Sequence, residues 1–312
     1  MEHNHDHCHG HSHAPADFSR AFAIGVTLNF LFVVVEVGYG LASNSLALIA
    51  DGGHNMSDVL GLLLAWGASV LAGRSPTPRH TYGFKRGTIL VSLISALLLY
   101  AAIGAIIWEA VGRFHSPAVL NGTTIMVVAA IGLIINTATA LLFMSGRKHD
   151  LNIKGAFLHM AADALVSAGV LVAGFVITVT GWFWLDPAVS LVIGFVVLFA
   201  GWGLLRDSLH LTVDGVPAHI NTEEVLRYFT ELPGVSCVHD LHIWALSTTD
   251  NVLSAHIVMP DGNDDEFLHN VAEHLRQAFQ IGHATIQVER DAGNYVCHLD
   301  KNGNVRCWQH HT

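Results

Sequence analysis

Charge is what this sequence has least of. Asp, Glu, Lys and Arg together supply 13% of its 312 residues, while apolar residues supply 52%; a soluble domain carries about 25% charge. A chain this poor in charge cannot present a water-facing surface everywhere, so its polar residues must be segregated from long apolar runs. Positive charge is scarcer still, with 15 Lys and Arg against 25 Asp and Glu and a formal net charge of −10. That balance argues against nucleic acid as a partner, because holding phosphates needs a basic surface. Cysteine is limited to Cys8, Cys237, Cys297 and Cys307, all outside the apolar runs. Their spacing is not that of a disulfide framework and suits a reducing compartment or metal ligation. Two motifs are missing. Without G-x-x-x-x-G-K-[ST] there is no loop to cradle a nucleotide for ATP-driven pumping, and without H-E-x-x-H an intramembrane metalloprotease lacks its usual zinc-and-base arrangement.

What is abundant is histidine, at 22 residues. Six of these, His3, His5, His7, His9, His11 and His13, alternate with Asn4, Asp6, Cys8, Gly10 and Ser12. The stretch has no apolar segment of the kind a signal peptide requires, and its alternation differs from the unbroken run of an affinity tag. With no apolar residue between Met1 and Ala14 it cannot pack, and its histidines can hold a metal loosely near neutral pH. His7, Cys8 and His9 are candidate mobile ligands.

Crossing a hydrocarbon layer of about 30 Å takes roughly 20 apolar residues in a helix. Six runs qualify: Ala21–Ala42, Leu46–Ala72, Thr88–Val111, Thr123–Met144, Ile153–Val179 and Leu185–Leu205. The pattern predicts an α-helical membrane protein with six transmembrane helices. With the N-terminus inside, Arg20, Arg74, Arg79, Lys85, Arg86, Arg147, Lys148, Lys154 and Arg206 all fall on the inner side and Arg113 alone on the outer. The positive-inside rule then places both termini in the cytoplasm. Beyond residue 212 the pattern changes to that of a small α+β domain. Thr222–Glu231 predicts a helix with Thr222 as N-cap; Val235–Leu246 and Val252–Met259 predict strands; Asp264–Phe279 predicts an amphipathic helix; Ala284–Glu289 predicts a last strand. The order α-β-β-α-β makes a two-layer sandwich. Residues 291–312 read as a polar tail whose Cys297 and Cys307 are, like His7, Cys8 and His9, candidate mobile metal ligands.

Ionisable residues inside a membrane span are costly and mark function by default. The second span holds His54-Asn55-Met56-Ser57-Asp58 and the fifth His159-Met160-Ala161-Ala162-Asp163. Both are H-x-x-x-D, and the i, i+4 spacing sets each pair on one helix face. Facing one another they offer two imidazole nitrogens and two carboxylate oxygens, a set suited to tetrahedral zinc rather than to the six or more oxygens that Ca²⁺ or Mg²⁺ takes. Asp51 shares the face of His54 and Asp58, either as a relay carboxylate for metal or protons or as a cap of the polar end of the span. Glu36 fits a water-filled path or an interhelix hydrogen bond, and Asn136 fits packing between helices.

These stretches resemble the cation diffusion facilitator family, in particular its bacterial zinc-exporting branch. The resemblance is carried by GLASNSLALIADGGHNMSD (40–58), RHTYGFKR (79–86), LHMAADALVS (158–167), Asp186-Pro187, VHDLHIWAL (238–246), SAHI (254–257) and HATIQVE (283–289), spanning about residues 18–298. It implies a homodimer with six spans and a cytoplasmic ferredoxin-like, or metallochaperone-like, domain. The implied transport site is His54, Asp58, His159 and Asp163, with His at position 54 favouring zinc over cadmium. Within the cytoplasmic domain the resemblance points to His239, His256 and Glu289, with His242 or His283 at a neighbouring site. Strict strand alternation would separate His239 from His242 unless His239 precedes the strand. The resemblance also implies an opposite-charge pair between Arg86 and Asp214. Two features depart from the family. Of the loop ligands between spans two and three only His80 matches, with Thr77 and Phe84 at the other positions, and the Ser145–Asn152 loop is short, with only His149. The histidine-rich N-terminus could replace the longer loop of other members.

The expected organisation is a His-rich tail (1–17), a transmembrane domain (18–211), a cytoplasmic metal-binding and dimerisation domain (212–290) and a flexible Cys/His-containing tail (291–312). The expected activity is zinc efflux from the cytoplasm through the inner membrane by exchange for protons, without enzymatic turnover. Zn²⁺ would be substrate and regulatory ligand; a membrane-bound zinc sensor without flux is the alternative.

Overall fold

The computed structural model describes residues 16–116, 118–144 and 151–290, apart from the side chains of 16–26, 62, 143 and 151–156. Six long helices come first: α1 (Ala16–Ser43), α2 (Leu46–Ala72), α3 (Gly87–Arg113), α4 (Gly122–Met144), α5 (Leu151–Thr180) and α6 (Leu185–Thr212). Among the described residues, five helices are long and apolar enough to cross a membrane, within α2 to α6; the described part of α1, Thr27–Ser43, is a shorter apolar helix. All six lie where the hydropathy runs predict. Their outward faces carry large apolar side chains such as Leu165, Val172, Trp108 and Phe199, all strongly exposed. In water this would drive aggregation, whereas in lipid it removes the need for a polar surface.

By internal contacts the chain forms two compact units, Met1–Val59 with Leu99–Ala200 and Leu60–Leu98 with Gly201–Thr312. In the first, α4 packs against α5 and α1 around a core that includes Phe32, Leu48, Ile103, Ile125 and Val170. Glycine permits the closest approach: a Cβ on Gly174 would lie 3.0 Å from the Met126 backbone nitrogen. One end of this unit is tied by Asp186, in the first turn of α6. Its carboxylate accepts from the Ser45 hydroxyl at 2.5 Å and from the Leu46 and Ala47 backbone nitrogens at 2.7 and 3.2 Å. Those amides belong to the first turn of α2, where no intrahelical acceptor exists. Asp186 therefore supplies the cap of a neighbouring helix, and the motif Asp186-Pro187 gains a structural meaning.

The second unit contains α7 (Thr222–Glu231), β1 (Cys237–Ala245), β2 (Asn251–Val258), α8 (Asp265–Phe279) and β3 (Ile281–Glu289), the α-β-β-α-β order read from sequence. β1 pairs antiparallel with β2, and β2 parallel with β3. Val225 and Phe229 of α7 and Val271 and Leu275 of α8 share one core with Val238, Leu253, Ala255 and Ile257 of the sheet. The helix caps differ in one respect from expectation: Asn221 caps α7, accepting from the Glu223 nitrogen at 3.0 Å, and Thr222 is the first helical residue. Asp264 caps α8 as its short side chain allows. Cys237 is buried at the start of β1.

At the N-terminal end of α3, Arg86 donates to Asp214 and to the Thr212 carbonyl, the latter at 3.3 Å. Asp214 adopts φ 61° there. Both side chains are about half exposed, so water screens the pair and its contribution to stability is about 1 kcal/mol or less. Its value is geometric: it fixes where the chain leaves α6.

Two outcomes are expected. Asp186→Ala leaves three donors without their acceptor and should cost about 2 kcal/mol or more, seen as a lower thermal midpoint in detergent; Asp186→Asn, which keeps one acceptor, should recover part of the loss. Reversing the charge at Arg86 or Asp214 alone should reduce metal flux, and reversing both should restore it. Equal flux in single and double reversals would mean that the pair is inert.

Candidate metal centre

α2 and α5 supply the two H-x-x-x-D pairs, and helical periodicity brings each together. His54 Nε2 lies 3.6 Å from Asp58 Oδ2, and His159 Nε2 lies 3.6 Å from Asp163 Oδ2. Across the helices, His159 Nε2 lies 3.3 Å from Asp58 Oδ2. One ligand atom from each of His54, Asp58 and His159 falls within 4.8 Å of the others, and the two imidazoles meet edge to face with centroids 5.9 Å apart. Three of the four predicted residues thus form one cluster, and Asp163 adjoins it through His159. The side chains of Asp58 and His159 are 35% and 43% exposed, that of Asp163 only 4%. His54 Nδ1 and Asp163 Oδ2 are buried without a hydrogen bond. A buried acceptor that makes no hydrogen bond is expensive, and a cation held between the two helices would relieve that cost. The donor chemistry, two nitrogens and two oxygens, fits a borderline divalent ion.

The second cluster is on the sheet. His239 of β1 donates from Nε2 to Glu289 of β3 at 3.1 Å, and His256 Nδ1 of β2 lies 3.2 Å from the other oxygen of Glu289. The imidazoles of His239 and His256 are perpendicular neighbours, centroids 5.1 Å apart. Nδ1 of His239 is buried without a partner. His239 stands inside β1, and the alternation argument is overturned by a β-bulge. The register runs His239↔His256 and then His242↔Ser254, three residues against two. Asp240 takes φ 52° at this irregularity. The extra residue restores parity, so His239 and His242 share a face, as a bulge is able to arrange.

His242 nonetheless stays outside the three-residue cluster, and its Nε2 donates to Asp240 Oδ1 at 3.0 Å. Asp240 Oδ2 lies 3.6 Å from His256 Nε2, so Asp240 joins the two histidines. Sequence reasoning passed it over, although its position between the histidines of V-H-D-L-H was the available signal. His283 is elsewhere, edge-on to Tyr82 with centroids 5.8 Å apart. His80 lies against Phe84, their rings tilted and centroids 4.6 Å apart. His7, Cys8, His9, His149, Cys297 and Cys307 lie outside the described residues.

Glu36, Asp51 and Asn136 are all buried. Asp51 is five residues into α2, and Asp186 already caps that helix, which removes the capping role considered for Asp51.

Known proteins resemble this chain over both its transmembrane and its cytoplasmic parts. The family model described as the cation efflux transmembrane domain matches residues 22–211, and that of the cation efflux protein cytoplasmic domain matches residues 217–291. The chain is 37% identical over 260 residues to the metal cation efflux system protein CzcD of Cupriavidus metallidurans, covering 83% of this chain and 82% of that one. It is 36% identical over 284 residues to the zinc transporter ZitB of Escherichia coli, covering 90% of each. It is 34% identical over 269 residues to a protein of Bacillus subtilis named as a cadmium, cobalt and zinc/H(+)-K(+) antiporter, covering 85% and 86%. With both its transmembrane and its cytoplasmic parts matched, the chain belongs to the cation efflux family and is a multi-pass membrane protein.

Proposed function

We propose that this chain exports zinc from the cytoplasm in exchange for protons, by alternating access around His54, Asp58, His159 and Asp163. The observation that carries the reading is the convergence of these four side chains from α2 and α5, inside apolar helices, with buried ligand atoms left unbonded. The named activities of ZitB and the Bacillus subtilis antiporter support zinc as substrate and protons as counter-ion. Metal binding requires free imidazole and carboxylate ligands, so protons and metal compete for the same atoms. Proton entry from the outer side would therefore release the ion, and the proton gradient would supply the work.

The remaining organisation is proposed with it. Residues 1–17 capture metal near the cytoplasmic entrance, raising its local concentration. Residues 18–211 form the transport domain, 212–290 the cytoplasmic dimerisation domain and 291–312 a tail. The asymmetry of basic residues supports cytoplasmic termini and an inner-membrane location. The family of the cytoplasmic domain supports a homodimer. His239, His256 and Glu289 form a second zinc site, with Asp240 and His242 beside it; as a site on the cytoplasmic sheet it would regulate rather than conduct.

In proteoliposomes with an imposed pH gradient, Asp163→Ala should abolish zinc uptake while leaving insertion and assembly intact; normal uptake by that protein would remove the central reading. His54→Asp makes the set richer in oxygen and should raise cadmium or manganese transport relative to zinc. Glu289→Gln should weaken zinc binding at the cytoplasmic cluster, seen by titration calorimetry as the loss of one class of site, with the transport site still filling. Retention of every class would exclude His239, His256 and Glu289 as ligands.

A further inference from the structure

One helical turn from the transport cluster, toward the α1–α2 turn, the same helices enclose a second polar layer. Asp51 on α2 stands three residues before His54, and Ser167 on α5 stands four after Asp163. Their side chains meet: the Ser167 hydroxyl donates to Asp51 Oδ2 at 3.3 Å. Asp51 is 2% exposed and Ser167 0%. Glu36 of α1, also 0% exposed, stands beside Asp51 and Asn55, and neither of its oxygens makes a hydrogen bond.

Glycines bring the helices close at this level. A Cβ on Gly52 would fall 2.9 Å from Val37 Cγ2 and 3.1 Å from Glu36 Cγ; one on Gly132 would fall 2.6 Å from Phe32 Cζ and 3.2 Å from Ser167 Oγ. Thus α1, α2, α4 and α5 converge on the layer with little room to slide. A buried polar group costs more than an apolar one of the same shape unless it is fully hydrogen-bonded, so a layer that is not is kept for another reason. Capping is not its use, since Asp186 caps α2. None of the three belongs to either cluster of candidate ligands.

We propose that Asp51 and Ser167, backed by Glu36, are positioning residues that fix the separation of α2 and α5 and so set the size of ion that the transport site accepts. The inference rests on the transport reading of His54, Asp58, His159 and Asp163. Each helix contributes one ligand pair, so the gap between the pairs is the gap between the helices. The Asp51–Ser167 bond spans that gap one turn away, where a rigid helix passes any displacement on to the ligands. Discrimination between ions depends on cavity size and flexibility as well as ligand type, and supporting hydrogen bonds hold the ligands in register. A looser gap admits a larger ion, so cadmium gains on zinc.

The experiment measures zinc and cadmium uptake by proteoliposomes containing single variants. Ser167→Ala removes the donor with almost no change in volume. It should raise the zinc half-saturation with a smaller effect on maximal rate, and raise the cadmium-to-zinc ratio by about threefold or more, the scale of a typical coupling between contacting residues. Ser167→Thr keeps the hydroxyl and should restore the ratio. Asp51→Ala should mimic Ser167→Ala, and the double variant should be no worse than either alone. An unchanged ratio in folded Ser167→Ala and Asp51→Ala, or independent additive effects, would overturn the proposal. A change in protons moved per zinc with selectivity unchanged would also overturn it, making the layer a counter-ion path. Asp163→Ala, measured in parallel, separates the two readings: zinc uptake by that protein would sink the transport site itself, whatever the layer does.

Discussion

Placing ionisable side chains inside an apolar helix bundle is the constraint on which the rest of this structure depends. A charge at the centre of a bilayer costs at least about 2.5–3.5 kcal/mol, and the H-x-x-x-D pairs of α2 and α5 carry two imidazoles and two carboxylates between them. The helices meet this cost by presenting all four to one another. Asp58 stands between His54 and His159, and His159 reaches both carboxylates. The arrangement leaves bonding capacity unfilled at His54 Nδ1 and Asp163 Oδ2. A fully satisfied network would be a structural feature; one with open ligand atoms favours a transient cation. The surrounding features follow from the same need. Glycines allow close helix contact, Asp186 caps α2 from a neighbouring helix, and the exposed apolar faces supply the lipid contact that replaces a polar surface.

The clusters in the two units answer different demands. The α2–α5 cluster comes from i, i+4 pairs on two helices, so relative movement of the helices changes every distance between the two pairs at once. The cytoplasmic cluster comes from three adjacent strands, whose backbone hydrogen bonds fix the register. Glu289 touches both His239 and His256 through different oxygens, which ties β1 and β2 to β3. A site built on paired strands is stiff; one shared between helices is adjustable. That contrast suits a stable regulatory site in one place and alternating exposure in the other.

Much of this was legible in the sequence because period and length are strong signals. Six apolar runs and two identical H-x-x-x-D spacings sit on helices, where spacing alone determines the face. The α-β-β-α-β order was legible for the same reason. The relation of His239 to His242 was not, because a bulge at Asp240 changes the parity of the strand. His283 also escaped the pattern: it stands opposite Val252 in the register, several residues from the level of His256 and Gln287. The N-cap of α7 shifted by one residue because Asn221 and Thr222 are both competent caps. The role of Asp51 needed the structure, since only a contact from α6 reveals that the start of α2 is already capped.

The N-terminal end of α3 shows how local chemistry joins these parts within the second unit. Lys85 lies 3.2 Å from Asp250, and the Thr248 backbone nitrogen donates to the Thr88 hydroxyl at 3.1 Å. Both partners belong to the turn between β1 and β2, which Ser247 organises by donating to Asp250 at 2.7 Å. The Ser247 hydroxyl, with help from Lys85, holds the Asp250 carboxyl below its ordinary range. Asp250 is therefore ionised through the neutral range, and the contact persists until acid conditions. These groups are too exposed for strong pairing. Three weak contacts from positions 85, 86 and 88, to Asp250, Asp214 and Thr248, nevertheless hold this helix end within the second unit. The β1–β2 turn continues directly into the strands that carry His239 and His256, so the contacts at this helix end and the cytoplasmic cluster are built on the same pair of strands.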